Sequence, residues 1–169
     1  MDSPAAVYLM VSGATTAYRA RDIVPALLER YGRVITVPTP HAARVISPWD
    51  LARIPGNVVV SDYLDSLLRP RPPESPVLFA PCSFNSLNKL AHGLADNLAL
   101  SITAEMIGRG QRVVAAVSVN SGLWGHPQTC ASMDALRRWG VVVVEPRDDG
   151  SGLAMAPTGE LLAALAGAG

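Results

Sequence analysis

Cysteines are scarce in this chain, and their spacing fits no common framework. Only two, Cys82 and Cys130, occur among its 169 residues. They are too few for a disulfide-rich fold and too far apart for a paired-cysteine zinc site. The sequence therefore predicts neither a metal site nor a disulfide framework.

The chain also lacks an excess of either charge. Lysine and arginine together number 14, as do aspartate and glutamate, so the formal net charge at pH 7 is zero. Proteins that bind nucleic acid or anionic membranes usually carry clustered positive charge. Neither kind of partner is expected here.

Long hydrophobic runs are missing as well. The apolar run at residues 7–11 is too short for a secretory signal and lacks a basic start. No run approaches the length of a membrane-spanning helix. We therefore expect a cytoplasmic protein, with residues 1–169 forming one domain that is long enough to bury a normal core.

Short apolar runs alternate with helical patterns along the chain, which is typical of an α/β protein whose strands are buried on both faces. Strands are predicted at residues 7–11, 33–37, 57–60, 76–80, 112–117 and 141–144. Helices are predicted at residues 21–31, 49–54, 61–68, 96–108, 127–139 and 161–165. A further helix is predicted after Ser83, with Leu87, Leu90, Ala91 and Leu94 on one face.

The stretch from Ala80 to Asn97 carries the clearest functional signal. An apolar run ends in proline, and Ser83, Asn85 and Ser86 then precede the helical pattern. Open α/β sheets bind ligands at such strand–loop–helix junctions, where helix N–H groups also point outward. These side chains would hold a polar ring or a phosphate; alternatively, Ser83 or Asn85 only caps the helix.

Pro81-Cys-Ser-Phe-Asn-Ser86 resembles the Pro-Ala-Ser-Ala-Asn-Thr motif of the flavin-containing cysteine decarboxylases. The continuation through Lys89, Gly93 and Asp96-Asn97 also follows that family. The Pro-Cys-Ser opening and the Ala91-His92-Gly93 step are more similar to the related flavin prenyltransferases. Both groups share one fold, so the resemblance implies a Rossmann-like three-layer domain with a mostly parallel sheet of about six strands.

The resemblance implies FMN as the cofactor. The first loop, after residues 7–11, matches the family's phosphate-binding turn and is not a dinucleotide glycine motif, because it contains only Gly13. The segment from Thr39 to Pro48 matches the family's second loop, with Ser47 at the place of a flavin contact. The implied cofactor-binding residues are Ser12, Gly13, Thr15, Thr39, Ser47, Pro81, Ser83, Asn85, Ser86, Asp96 and Asn97.

A second motif, Val117-Ser-Val-Asn-Ser-Gly-Leu-Trp124, resembles the Pro-x-Met-Asn-x-x-Met-Trp motif of the decarboxylases. By this resemblance Asn120 binds the substrate carboxylate and Trp124 lies at the substrate site. The alternative is that Asn120 is a turn residue and Trp124 a core residue. The prenyltransferases carry an arginine-rich turn here, whereas no arginine lies between Arg112 and Arg137, so the decarboxylase branch is favoured.

The chain departs from the family pattern at two places. Residues 62–80 contain no histidine, although the decarboxylases place their active-site histidine there. Residues 145–152 are short and polar and lack the cysteine of the family's substrate clamp. His126 is the candidate replacement catalytic residue beside Asn120, with a simple helix-start role as its alternative.

Three further residues have simpler explanations. His41 is expected to be an exposed loop residue, and His92 to make a local hydrogen bond. Cys82 is either a redox thiol or, as buried cysteines usually are, inert.

The expected activity is oxidative decarboxylation of a C-terminal cysteine, most simply that of a peptide in natural-product biosynthesis. The alternatives are a non-catalytic FMN-binding partner subunit, phosphopantothenoylcysteine decarboxylase and flavin prenyltransferase. The resemblance also implies a homo-oligomer, either a trimer or a dodecamer made of trimers, with residues 96–108 near the subunit contact.

Overall fold

A parallel sheet forms the centre of the structure, a computed structural model that describes residues 6–167. Its strands are β1 (Ala6–Val11), β2 (Arg33–Pro38), β3 (Asn57–Val59), β4 (Val77–Cys82), β5 (Val113–Val117) and β6 (Val142–Val144). They lie in the order β3-β2-β1-β4-β5-β6, and every neighbouring pair is parallel. The predicted six-stranded α/β fold is confirmed.

Alternating side chains of the strands enter two separate core layers. In β1, Val7, Leu9 and Val11 belong to one layer, whereas Tyr8 and Met10 belong to the other. This alternation follows from the two-residue period of a strand. It explains why the strands read as continuous apolar runs, since both faces of the sheet are covered.

Seven helices are described, and they cover both faces of the sheet. They are α1 (Ala20–Leu28), α2 (Pro48–Ala52), α3 (Phe84–Ala91), α4 (Leu98–Gly108), α5 (Ser121–Trp124), α6 (Pro127–Arg138) and α7 (Thr158–Ala166). The first core layer contains buried residues of α1, α2 and α7, and the second contains those of α3, α4 and α6. The three-layer arrangement is therefore that of the predicted fold. None of these helices is both long and apolar enough to cross a bilayer.

Two helical predictions are wrong. Residues 61–68 contain only a 3₁₀ turn, Ser66–Leu68, because Asp62 and Asp65 accept the N–H groups of the residues two positions onward. Such local side-chain hydrogen bonds compete with a helix. Leu94 was predicted on a helix face, but α3 ends at Ala91 and Leu94 is exposed. Gly93 causes this ending, since its φ of 68° suits glycine best.

A one-turn helix and a two-stranded hairpin have no counterpart in the predictions. Helix α5 is a single turn between Asn120 and Gly125. Strands β7 (Arg147–Asp148) and β8 (Leu153–Ala154) form an antiparallel hairpin in the segment that the sequence predicts to be short and polar.

The strand order reverses between β1 and β4. From β1 the chain continues outward to β2 and β3, whereas β4 leads to β5 and β6 on the other side. The loops after β1 and β4 therefore run to opposite faces and leave a crevice between them. This crevice is where the functional residues are expected to meet.

Candidate functional site

A cleft of about 710 Å³ opens where β1, β2, β4 and β5 end. Its volume is in the range of small-molecule sites. The residues that line it are Gly13, Ala14, Thr15, Thr16, Thr39, Pro40, His41, Ser83, Phe84, Asn85, Ser86, Lys89, Asp96, Asn97, Ser118, Val119, Asn120, Leu123 and Leu153. Nine of the predicted site residues are thus brought together: Gly13, Thr15, Thr39, Ser83, Asn85, Ser86, Asp96, Asn97 and Asn120.

The loops after β1 and β2 form one wall, and they approach each other closely. A Cβ atom placed on Gly13 would lie 2.6 Å from the Cβ of His41 and 3.0 Å from its carbonyl carbon. Any larger residue at position 13 would force these loops apart. Beside this contact, Thr39 is buried and Thr15 is exposed. This wall consists of small groups, hydroxyls and one imidazole.

Ser12 holds the junction between β4 and α3 from beneath the cleft. Its buried hydroxyl donates to the carbonyl oxygen of Pro81 at 2.6 Å and accepts the N–H of Ser83 at 2.9 Å. The hydroxyl of Ser83 in turn accepts the N–H of Ser86 at 3.3 Å, so Ser83 is the N-cap of α3. Ser12 and Pro81 do not line the cleft; they fix the position of the residues that do.

Cys82 ends β4 and is fully buried. Burial raises the pKa of its thiol to about 12. A thiol with so high a pKa stays protonated near neutral pH and is a poor nucleophile. The structure therefore favours the inert role for Cys82 over the redox role.

The link between α3 and α4 brings the single lysine into the cleft. The Nζ of Lys89 lies 2.6 Å from Oδ2 of Asp96, and both residues line the cleft. The hydrogen bond from Lys89 lowers the pKa of the Asp96 carboxyl. Asn97 is the N-cap of α4, because its Oδ1 accepts the N–H of Leu100 at 3.0 Å. His92 makes the predicted local hydrogen bond, with its Nδ1 2.8 Å from the carbonyl oxygen of Asn88.

Asn120 lies at the junction between β5 and α5 and is exposed in the cleft. Its Oδ1 accepts the N–H of Leu123 at 2.9 Å, which makes it the N-cap of the one-turn helix. The side-chain NH₂ group of Asn120 takes no part in that bond and is the donor that a ligand would meet. Ser118 ties this junction to the first loop, because its hydroxyl lies 2.7 Å from that of Thr16.

Besides Ser12 and Pro81, three further predicted site residues do not line the cleft. Ser47 is the N-cap of α2, and its hydroxyl accepts the N–H of Asp50 at 3.3 Å. Trp124 packs against the second core layer, as its alternative interpretation held. His126 is the N-cap of α6, with its Nδ1 accepting the N–H of Gln128 at 3.0 Å. The helix-start role of His126 is therefore observed, and its catalytic role has no geometric support.

The ring of His126 also contacts Phe84. The two ring centres are 5.4 Å apart and the ring planes meet at 75°, an edge-to-face arrangement. Such pairs contribute about 0.5–1.5 kcal/mol beyond their buried area. Phe84 itself lines the cleft, so His126 touches the site only through this neighbour.

His41 is the functional candidate that sequence reasoning set aside. It is exposed, as predicted, but it lies in the cleft lining, where it is the sole histidine among the described residues. His41 belongs to the cleft because the loop after β1 packs against it at Gly13. Residues 13 and 41 are far apart in sequence, so no local pattern predicts this contact. Of the described residues, no group of three or more histidine, cysteine or acidic side chains could hold a metal ion.

Comparison with known proteins identifies the family. The profile of the family described as "Flavoprotein" matches residues 1–168. The chain belongs to the flavoprotein family. The predicted resemblance to the flavin-containing cysteine decarboxylases is thereby confirmed, and this membership implies a flavin cofactor.

One similar flavoprotein is the coenzyme A biosynthesis bifunctional protein CoaBC of Mycobacterium tuberculosis, which is 31% identical over 173 residues. That match covers 98% of this chain but only 38% of CoaBC, so the chain spans well under half of that relative. Among solved structures, peptidyl-cysteine decarboxylase EpiD has a TM-score of 0.82 at 18% identity, covering 96% of this chain and 99% of EpiD. The FMN-dependent cysteine decarboxylase TvaF from thioviridamide biosynthesis has a TM-score of 0.79 at 22% identity, covering 97% of both chains.

These two structural likenesses establish the shared fold. Both of these structural relatives are decarboxylases. The segment before β4 lacks the histidine that the family resemblance predicts there. No histidine occurs in residues 62–80, and His41, in the loop after β2, is the sole histidine among the described residues that line the cleft.

Proposed function

We propose that this protein is an FMN-dependent decarboxylase that acts on the carboxylate of a terminal cysteine, with a peptide as the substrate. The observation that carries the proposal is the position of Asn120. It lines the same cleft as the loops after β1 and β4, with its NH₂ group available to a ligand. The proposed hydrogen-bond donor to the substrate carboxylate and the proposed flavin-binding wall therefore lie in one cavity.

The residues present fit FMN. The first two loops offer the hydroxyls of Thr15, Thr16 and Thr39 around a glycine that leaves no room for a side chain. Hydroxyl and backbone N–H groups of this kind suit a phosphate. The amides and hydroxyls of Ser83, Asn85 and Asn97 offer both donors and acceptors to the edge of a polar ring.

When bound, FMN would supply the oxidising power that removes two electrons from the cysteine side chain and makes its carboxylate a good leaving group. The protein itself has to bind and orient the substrate. Asn120 would donate to the carboxylate oxygen, and its own position is set by the hydrogen bond to Leu123. Val119, Leu123 and Leu153 also line the cleft and would limit the access of water to the reacting atoms.

The experiment compares substitutions at Asn120 and at its neighbour. Asn120→Asp keeps the oxygen that caps α5 but replaces the donor with a negative charge that repels a carboxylate. A charge-assisted hydrogen bond contributes about 1.5–3 kcal/mol, so turnover should fall by about tenfold or more while FMN stays bound. Mass spectrometry would follow loss of CO₂ from cysteine-terminated peptides, and Ser121→Ala, in the same turn but outside the cleft lining, is the matched control.

Equal turnover by the wild type and Asn120→Asp would contradict the assignment of Asn120. No loss of CO₂ from any cysteine-terminated peptide would contradict the peptide substrate. Phosphopantothenoylcysteine is then the next compound to test, because the similarity to CoaBC favours a role near coenzyme A synthesis. If the protein bound no FMN after incubation with the cofactor, FMN-dependent decarboxylation of either substrate would be excluded.

A non-catalytic flavin-binding subunit is the second candidate. The specific observation in its favour is the distribution of histidines. His41 abuts the loop at Gly13, where the phosphate is predicted, and His126 lies outside the cleft lining. A protein that binds FMN tightly but decarboxylates neither substrate would fit this function.

We also propose a homo-oligomer built on trimers. Its mass can be measured directly by light scattering. A monomer at micromolar concentration would contradict the proposal.

A further inference from the structure

Phe84 is the one aromatic hydrocarbon ring among the described residues that line the cleft. It follows the cap residue Ser83 and is the first residue of α3. It is half-buried and packs against the second core layer, as do Leu123 and Trp124. The family motif that this stretch resembles has an alanine at the corresponding position. The phenyl ring therefore makes the side chain at this position larger than the one in the motif.

The ring of Phe84 is held in place from outside the cleft. His126 meets it edge to face at 5.4 Å. His126 is in turn hydrogen-bonded at two places. Its ring Nδ1 accepts the N–H of Gln128, and its backbone N–H donates to the carbonyl oxygen of Leu123 at 3.2 Å. Phe84 therefore packs against the core on one side and against the hydrogen-bonded imidazole of His126 on another.

The contact between Phe84 and His126 connects the two junctions of the proposed site. Phe84 adjoins Ser83 at the end of β4, and through His126 it is tied to Leu123, three residues after Asn120. The ring consequently borders the space between the predicted flavin wall and the predicted carboxylate donor. Because both neighbours are fixed, the ring has little freedom to move aside for a bulky ligand.

We propose that Phe84 is a specificity-determining residue that limits the bulk of the substrate beside its terminal cysteine, and that His126 is a positioning residue that holds the ring. This inference rests on the proposed function. The expected substrates are peptides with a small residue before the terminal cysteine. Peptides with a large aromatic residue at that position are expected to be excluded.

The test measures binding rather than turnover. The probes are two peptides that end in Gly-Cys or Trp-Cys, and the readout is the ratio of their dissociation constants, measured by calorimetry, for the protein loaded with reduced FMN, which cannot oxidise the peptide. The wild type should bind the Gly-Cys peptide at least tenfold more tightly. Phe84→Ala should bring the ratio close to one by improving binding of the Trp-Cys peptide.

Two substitutions at His126 separate positioning from other roles. His126→Asn keeps an N-cap acceptor for Gln128 but removes the ring, whereas His126→Phe keeps a ring but removes the acceptor. If His126 positions Phe84, His126→Asn lowers the selectivity ratio severalfold and His126→Phe retains it. If His126 only caps α6, His126→Asn behaves like the wild type and the positioning role is overturned.

The remaining outcomes are also decisive. Equal binding of both peptides by the wild type, or an unchanged ratio in Phe84→Ala, overturns the role of Phe84 even if CO₂ is released. Selective binding without loss of CO₂ contradicts only the proposed activity. Failure of the wild type to bind either peptide overturns both.

Discussion

The junctions after β4 and β5 are neighbours in the sheet and follow the same plan, yet they differ in how firmly they are held. Each strand ends beside a polar residue that caps the next helix, Ser83 in one case and Asn120 in the other. The β4 junction is tied to β1 through the buried hydroxyl of Ser12, and its helix has eight residues. At the β5 junction the capping residue Asn120 is exposed, and the helix has four residues.

This difference corresponds to different requirements. A resident cofactor is best held by donors and acceptors whose positions do not change, and the buried hydrogen bonds of Ser12 ensure that at the β4 junction. A substrate has to enter and leave, which suits an exposed amide such as that of Asn120. The four predictions that follow test the comparison in order of decreasing effect.

The largest contrast is expected in thiol reactivity. Cys82 is buried at the end of β4, whereas Cys130 is exposed on α6, two elements after β5. With a pKa of about 12, Cys82 has almost no thiolate near pH 7 and no access to reagent. Native protein should therefore react with Ellman's reagent at one thiol, and the second should react about a thousandfold more slowly or only after unfolding. Cys130→Ala should abolish the fast phase; two fast thiols in the wild type would show that the β4 junction opens readily.

The second prediction concerns Ser12→Ala. The substitution removes the acceptor of the Ser83 N–H from a buried position, and an unsatisfied buried group costs about 1–3 kcal/mol. The free energy of unfolding should fall by about that amount, and FMN should bind more weakly, as urea titration and flavin fluorescence would measure. Ser121→Ala at the β5 junction is the control and should change neither quantity appreciably. If Ser12→Ala were equally harmless, the two junctions would not differ in rigidity.

The third prediction concerns the cap of α5. Asn120→Ala should lower the free energy of unfolding by about 1 kcal/mol, because the N–H of Leu123 loses its partner. Asn120→Ser retains a capping oxygen and should stay within a few tenths of a kcal/mol of the wild type. Thermal unfolding of the two variants would show the difference. FMN affinity should be unchanged in both, and weaker FMN binding would mean that Asn120 belongs to the cofactor site.

The smallest effect is expected at the ion pair of Lys89 and Asp96, in which Lys89 is half-buried and Asp96 is exposed. The hydrogen bond from Lys89 lowers the pKa of Asp96 in the folded protein, so the pair stabilises the protein above the ordinary aspartate pKa of about 3.9. That stabilisation is lost as the pH falls through the lowered pKa. Asp96→Asn should therefore melt slightly earlier than the wild type at pH 7, and the difference should vanish in strong acid. A difference that persisted in acid would have to come from something other than the ion pair.

Much of the fold and part of the site could be predicted from local patterns. The six strands were identified because residues such as Val7 and Val113 belong to short apolar runs. The capping and ligand functions of Ser83 need not exclude each other, because this residue both caps α3 and lines the cleft. Residues 61–68 were misread because Asp62 and Asp65 satisfy backbone N–H groups locally, and a helical pattern of apolar residues does not reveal such bonds.

The sequence by itself determined the α/β alternation, the family and the two motifs around Ser83 and Asn120, because each depends on residues close together in the chain. Only the tertiary structure decided which loops face one cleft. It placed His41 against Gly13, joined His126 to Phe84 and left Ser47 on another helix, because the order of the strands in the sheet brings distant segments together. Local pattern carries no record of that order, and contacts between segments separated by tens of residues form only when the sheet is assembled.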